Sequence, residues 1–166
     1  TPPTKFNLKN INVDSAVKTR SILMIIGPLI HYLDSFNIPH ASGCNLGKRT
    51  IAAHTYALEA LGVKIKTTND KYEISKKKLH KAEIVMYEAG DTACENILSA
   101  AALIPGVTTI SYASSNYMVQ EVCFFLEALG VKIDGIGTST LTVHGLKEIN
   151  QDIEYSNSED PIESMM

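Results

Sequence analysis

The 166-residue chain predicts an α/β fold made of two βαβαββ units, and three features carry that expectation. The first is an internal repeat. Leu58-Glu59-Ala60-Leu61-Gly62-Val63-Lys64-Ile65 returns unchanged, 68 residues later, as Leu126-Glu127-Ala128-Leu129-Gly130-Val131-Lys132-Ile133. The second is what each copy does locally: a helical apolar period stops at Gly, and a Val-x-Ile alternation begins. Gly supplies the left-handed residue that ends a helix, and β-branched residues start the strand. The third is that strand-like and helix-like segments follow the same order around both copies. A content of 45% hydrophobic and 20% charged residues fits one globular domain, or two small ones, with a core of ordinary size.

Taken in order, the first unit (about residues 5–75) predicts a strand over 5–13, a helix over 17–33, a strand over 36–41 and a helix over 49–61. A hairpin of 63–67 with 72–75, turning at Asn69-Asp70, closes it. The second unit (about 82–145) predicts a strand over 82–88, a helix over 92–104, a strand over 107–113 and a helix over 116–129. The pair 131–135 and 140–144 closes it, with Pro105-Gly106 and Gly135-Ile136-Gly137 as breaks. Beyond Lys147 the composition changes: residues 148–166 hold six carboxylates and no Lys or Arg, and 156–161 read as loop. Residues 1–147 are therefore expected to form one lobe, and 148–166 an acidic exit segment.

Net charge is −3, but residues 1–81 carry 13 Lys/Arg against 5 Asp/Glu, whereas residues 82–166 carry 2 against 13. An anionic ligand would be drawn to the basic half. Its aromatics (Phe6, Tyr32, Phe36, Tyr56 and Tyr72) are not interleaved with cations as a base-stacking surface requires, so nucleic acid is not an expected partner. The longest apolar run, 22–30, contains Gly27-Pro28 and falls short of the ~18 residues of a membrane helix, so no membrane partner is expected either. Three cysteines and no secretory signal at the start point to a reducing, cytoplasmic setting. A chain that begins at Thr1 is expected to be a piece of something longer.

The chemistry concentrates in Gly43-Cys44-Asn45-Leu46-Gly47-Lys48-Arg49, between a predicted strand and helix. A thiol at a helix start beside two cations is stabilised as thiolate and is reactive at neutral pH. A partly buried structural cysteine fits the same spacing. Cys94 and Cys123 fall on apolar helix faces and read as small core residues. No CxxC or Cys/His spacing suggests a metal. His54 lies ten residues after Cys44, one and a half turns into the next helix; it either faces the same pocket or is a half-buried helix histidine. Arg20 opens a strongly apolar helix, where a cation opposes the helix dipole. An anion held at that helix end would offset this, and a plain surface arginine fits as well.

Several stretches together resemble the enolpyruvyl transferases over about residues 17–163. They are Lys18-Thr19-Arg20-Ser21-Ile22 with Gly27-Pro28-Leu29, Gly43-Cys44 with Gly47 and Arg49, and His54 with 58–62. Glu95-Asn96-Ile97 with Ala100-Ala101, and Asp160 with Ile162-Glu163, complete the set. The resemblance implies a fold of two lobes, each an inside-out α/β barrel of βαβαββ units, with the active site between them. This chain would be most of one lobe, and its partner a second lobe of the same kind. The resemblance also implies transfer of an enolpyruvyl group from phosphoenolpyruvate to a sugar hydroxyl, through a tetrahedral adduct that expels phosphate, with no cofactor and no metal.

The loop cysteine indicates the branch whose acceptor is UDP-N-acetylglucosamine, which begins peptidoglycan synthesis in cell-wall biogenesis. Carried over by residue, Cys44 adds to phosphoenolpyruvate and is the acid toward its methylene carbon, with Arg49 as the second catalytic residue. Arg20 and Arg49 hold phosphate or carboxylate, and Lys48, His54 and Asp160 complete the substrate contacts. The family has Pro after the loop arginine and Asp two further on; here they are Thr50 and Ala52. Its Ser-Val-Gly-Ala-Thr loop reads Gly90-Asp91-Thr92-Ala93-Cys94, its Arg-Glu-Pro-Glu segment reads Ser115-Asn116-Tyr117-Met118, and its Pro-Asp-Arg exit reads Glu159-Asp160-Pro161. These departures define the alternative expectation, a non-catalytic or regulatory relative that has lost nucleotide recognition. A third is another enzyme of related architecture, such as an RNA-end cyclase.

Overall fold

Alternation of buried and exposed side chains in the strands, and burial of the inward faces of the helices, build two sheets on one continuous apolar core. The computed structural model describes residues 6, 8, 11–40, 50–161 and 164. The elements are α1 (Val13–Lys18), a 3-10 segment (Arg20–Ile25), α2 (Ile26–Leu29), β1 (Ser35–Pro39), α3 (Ala52–Ala60), β2 (Val63–Thr67) and β3 (Lys71–Lys76). They continue with β4 (Glu83–Val85), α4 (Asp91–Ala101), β5 (Gly106–Ser111), α5 (Tyr117–Ala128), β6 (Lys132–Asp134) and β7 (Thr140–Gly145).

The first sheet has the order β1-β3-β2 and is antiparallel throughout; Ile74 of β3 stands opposite Phe36 of β1 and Ile65 of β2. The second has the order β4-β5-β7-β6, with β4 parallel to β5 and the rest antiparallel. Matching the repeats sets β1, β2 and β3 against β5, β6 and β7. Gly62 and Gly130 take φ of +94° and +91°, as the repeat predicts, and each donates its N–H back into the last turn, to Glu59 and Glu127 respectively. A Cβ at either position would be strained, which is why both copies of the repeat carry glycine there.

Two expectations are corrected. The predicted strand over 5–13 is not formed by the described residues of that stretch: Leu8 is in a 3-10 turn, 11–12 are irregular, and Val13 already belongs to α1. The Asn12 side chain accepts from the Ser15 N–H at 3.0 Å, a helix cap that prevails over the apolar alternation. The predicted single helix over 17–33 is three short pieces. Thr19 is extended (φ −123°, ψ 126°), the chain tightens into 3-10 geometry at Arg20, and α2 starts at Ile26. Pro28 has no N–H to donate and so fits the first turn of a new helix, not the middle of an old one. The other elements form where the periodicity places them, within a few residues at their ends.

α4 is the axis of the packing: α2, the 3-10 segment, α3 and α5 all lie against it, so it joins the two repeats. Residues 148–161 carry no regular structure and run beside α5. Tyr155 Oη and the Ser158 N–H both donate to Glu121, at 2.8 and 3.0 Å, and the Tyr155 ring meets Phe125 edge-on. Among the described residues no helix is long and apolar enough to cross a membrane.

Candidate functional site

A cleft of about 560 Å³ opens where the broken helical run of the first repeat meets the start of α4. Arg20 of the 3-10 segment, Thr50 and His54 at the start of α3, and Glu88 with the first turn of α4 line it. The break in the helix positions Arg20: a chain turning at Thr19 sends that side chain across to the Thr50 carbonyl, where Nη2 donates at 3.3 Å. The start of α4 contributes the N–H groups that have no partner inside the helix, and with them the positive end of its dipole.

His54 is 4% exposed and is enclosed by polar contacts. Its Nδ1 lies 3.1 Å from Asn96 Nδ2, and its Nε2 lies 3.4 Å from Thr92 Oγ1. Burial, reinforced by the Arg20 guanidinium, pushes its pKa down to about 4, so the ring is neutral at physiological pH. On the first turn of α4 Asp91 is held by two donors, Ser114 Oγ at 2.5 Å and Asn116 Nδ2 at 2.8 Å. Burial, with Asp91 nearby, raises the pKa of Glu95 one turn further along α4. The cleft thus sets a guanidinium and a neutral imidazole beside the carboxylates of Glu88 and of Asp91, which sits on the first turn of α4 itself. The first group suits phosphate or carboxylate, and the second accepts hydrogen bonds from hydroxyls.

Of the residues expected from sequence, Arg20 and His54 come together here. Cys44, Lys48 and Arg49 lie outside the described residues; Thr50, next in sequence, lines the cleft. Asp160 is not among the lining residues and accepts from Tyr117 Oη at 3.3 Å on the tail's path along α5. Cys94 and Cys123 are fully buried, as their apolar spacing indicates. Burial raises both thiols, that of Cys123 to about 12. Sequence reasoning missed Asn96, which is 1% exposed and touches His54, and it missed the roles of Thr92 and Asp91. The available signal was an amide in the middle of the apolar helix 92–104, where an unpartnered polar group is not tolerated.

Comparison with known proteins identifies the family. The family model described as EPSP synthase (3-phosphoshikimate 1-carboxyvinyltransferase) matches residues 12–166, and the chain belongs to this enolpyruvyl transferase family. Among curated relatives it is similar to the UDP-N-acetylglucosamine 1-carboxyvinyltransferase of Bradyrhizobium diazoefficiens, at 38% identity over 136 residues, covering 82% of this chain and 31% of that protein. It is also similar to the enzyme of the same name from Treponema denticola, at 36% identity over 146 residues, covering 88% of this chain and 34% of that protein. The chain therefore spans about a third of the length of these relatives.

Among solved structures, the enolpyruvyl transferase NikO from Streptomyces tendae superposes with a TM-score of 0.63 at 17% identity, over 82% of this chain and 32% of that one. EPSP synthase from Acinetobacter baumannii superposes with a TM-score of 0.57 at 18% identity, over 77% and 29%. At that identity the two structures establish the fold.

Proposed function

We propose that this chain supplies one wall of an active site that transfers the enolpyruvyl group of phosphoenolpyruvate to UDP-N-acetylglucosamine, releasing phosphate. The observation that carries the reading is the 36–38% identity, over more than four-fifths of the chain, to proteins named for that reaction. The cleft adds support. Arg20 and the His54 ring form an anion-accepting wall, and Thr50, which follows the Cys44–Arg49 segment in sequence, also lines the cleft. Cys44 is the proton donor to the methylene carbon, Arg49 and Lys48 join Arg20 on phosphate, and the acceptor's hydroxyls face Glu88. Residues 1–147 are part of one lobe, and 148–166 lead toward a second lobe that completes the site. The setting is cytoplasmic, at the start of peptidoglycan synthesis.

Catalysis by proton transfer and anion stabilisation needs donors from both walls and exclusion of water. The chain alone is therefore expected to bind these ligands weakly and to release no phosphate. The test is an amide NMR titration with phosphoenolpyruvate present. UDP-N-acetylglucosamine is expected to move the Thr92 and Ala93 signals while shikimate 3-phosphate leaves them in place. The reverse would reassign the acceptor. A response to neither, with Arg20 and His54 also silent to phosphoenolpyruvate, would favour a non-catalytic relative, a reading to which Asp91 at the cleft lip also lends weight.

A further inference from the structure

We propose that Asn96 is a positioning residue that locks the His54 imidazole in its Nε2–H tautomer, so that His54 meets the cleft as a neutral N–H donor beside Arg20. The argument starts from two backbone groups whose roles cannot change. The Gly27 N–H can only donate, and the Asn96 atom 2.7 Å from it must be the amide oxygen. The Leu23 carbonyl can only accept, and the Asn96 atom 2.9 Å from it must be the amide nitrogen. The usual ambiguity between the two ends of an asparagine amide is removed.

With the oxygen and one N–H committed, the second Nδ2 hydrogen is directed at His54 Nδ1, 3.1 Å away. An amide nitrogen has no lone pair to offer, so Nδ1 must be the acceptor. Imidazolium or the Nδ1–H tautomer would set two hydrogens against each other in a site where neither can turn to water. The ring proton is left on Nε2, loosely placed 3.4 Å from Thr92 Oγ1 on the cleft side. Of the charged groups nearby, Arg20 acts on the ring, Glu88 and Asp91 line the same cleft, and Glu95 precedes Asn96 on α4. Burial and Arg20 both disfavour a second proton on the ring.

The same amide ties the two cationic-side elements together. Leu23 and Gly27 belong to the broken helical run that carries Arg20, and His54 belongs to α3, so a residue outside the cleft sets the relative position of both. This purpose for the lock rests on reading the cleft as an anion-binding wall, since a fixed N–H is what a phosphate or carboxylate oxygen accepts. The tautomer itself does not rest on that reading.

The experiment is a long-range 1H–15N correlation spectrum of the imidazoles in the 15N-labelled chain, without ligand, between pH 5.5 and 8. His54 is expected to show the Nε2–H pattern throughout. In Asn96→Asp at a pH where that carboxylate is ionised, so that the facing group can only accept, the pattern is expected to change to Nδ1–H or imidazolium. An Nδ1–H, averaged or charged pattern in the unmodified chain would overturn the proposal, and so would an unchanged tautomer in folded Asn96→Asp. If Asn96→Asp does not fold, the spectrum of the unmodified chain still decides. Inorganic phosphate is added last; a silent Nε2–H then counts against the anion wall and leaves the tautomer assignment standing.

Discussion

The two repeats close in the same way and open differently. Each ends with a helix, a positive-φ glycine and an antiparallel pair of strands, whereas their first helical runs diverge. In the second repeat α4 is one helix of eleven residues, nearly all of them buried. In the first repeat the corresponding stretch breaks at Thr19 and again at Ile26, into pieces of four to six residues. The intact helix carries the packing and the broken one carries the cation. A straight helix through Arg20 would keep that residue in register with its neighbours, but the break turns it toward Thr50 and the cleft. The site lies where the two copies of one supersecondary plan stop matching, and α4 lends its N-terminus and Asn96 to a histidine and an arginine from the other copy.

The sharpest way to break this arrangement is at the contact between the two runs. A Cβ on Gly27 would stand 2.7 Å from Asn96 Oδ1 and against the α4 backbone, neither of which can give way. Gly27→Val is expected to destabilise by about 4 kcal/mol, overpacking and a lost buried hydrogen bond acting together. At the cap of α4, a Cβ on Gly90 meets only the flexible Glu88 side chain, at 3.3 Å. Gly90→Ala is expected to change stability by less than ~1 kcal/mol. Urea denaturation of both variants checks the contrast, and similar losses would mean that the two runs are not locked at Gly27.

The histidine shared between the repeats gives the next effect. In the fold His54 resists protonation down to about 4, against 6.5 for an unperturbed ring. Between those values the unfolded chain binds the extra proton, so stability falls as pH drops through the window and is fully regained above it. At 1.36 kcal/mol per unit this is worth ~3 kcal/mol. His54→Gln keeps an acceptor for the Asn96 amide and removes the titration. Its stability is expected to fall by about that much less than the unmodified chain's between pH 7 and 4. Equal acid losses in the two proteins would show that His54 is solvated.

How much of this was legible in the sequence follows from the range of the interactions. The hairpins, the positions of β1 and β5, and the helices α3 to α5 rest on local period and on glycine punctuation, and they were readable. Over 5–13 the apolar period points to a strand, whereas the Asn12 cap on the Ser15 N–H starts a helix there. Over 17–33 the continuous apolar run hides both the extended residue at Thr19 and the new helix whose first turn holds Pro28. In the site, local spacing leaves Arg20 and His54 open between surface and pocket, and the family resemblance is what singles them out. Asn96 was not legible, because its meaning depends on partners 42, 69 and 73 residues away. The local window shows only that an amide sits on an apolar helix and must be paired, not what it pairs with.

A chemical contrast follows between the basic first repeat and the acidic second. Cys94 and Cys123 lie in the second repeat, fully buried, with thiol pKa values raised by burial and by nearby carboxylates. Cys44 stands between two glycines with Lys48 and Arg49 following. With limiting iodoacetamide at pH 7.5, Cys44 is expected to be alkylated at least ~10-fold faster than either of the others, as read by mass spectrometry of the digested chain. Comparable rates at all three would remove the argument that its surroundings activate the thiol.

The smallest effect tests how closely the two sheets were built to one plan. In the first sheet the residue across β3 from Ile65 is Phe36, with Ile74 between them; in the second, across β7 from Ile133, it is Thr108, with Val143 between. Phe36 and Thr108 are thus register equivalents, and both are buried, Thr108 to 1% exposure. The Thr108 hydroxyl makes no hydrogen bond to any described residue. A buried hydroxyl without a partner is a net loss, and valine has the same branched shape without it. Thr108→Val is therefore expected to stabilise the chain by ~1 kcal/mol, seen as a higher urea midpoint at unchanged slope. Phe36→Thr, the reverse conversion in the first sheet, removes apolar volume and buries a hydroxyl, and is expected to destabilise by ~3 kcal/mol. If Thr108→Val lowers the midpoint instead, its hydroxyl is satisfied in solution, and threonine at that position reflects a polar contact that the first sheet does not make.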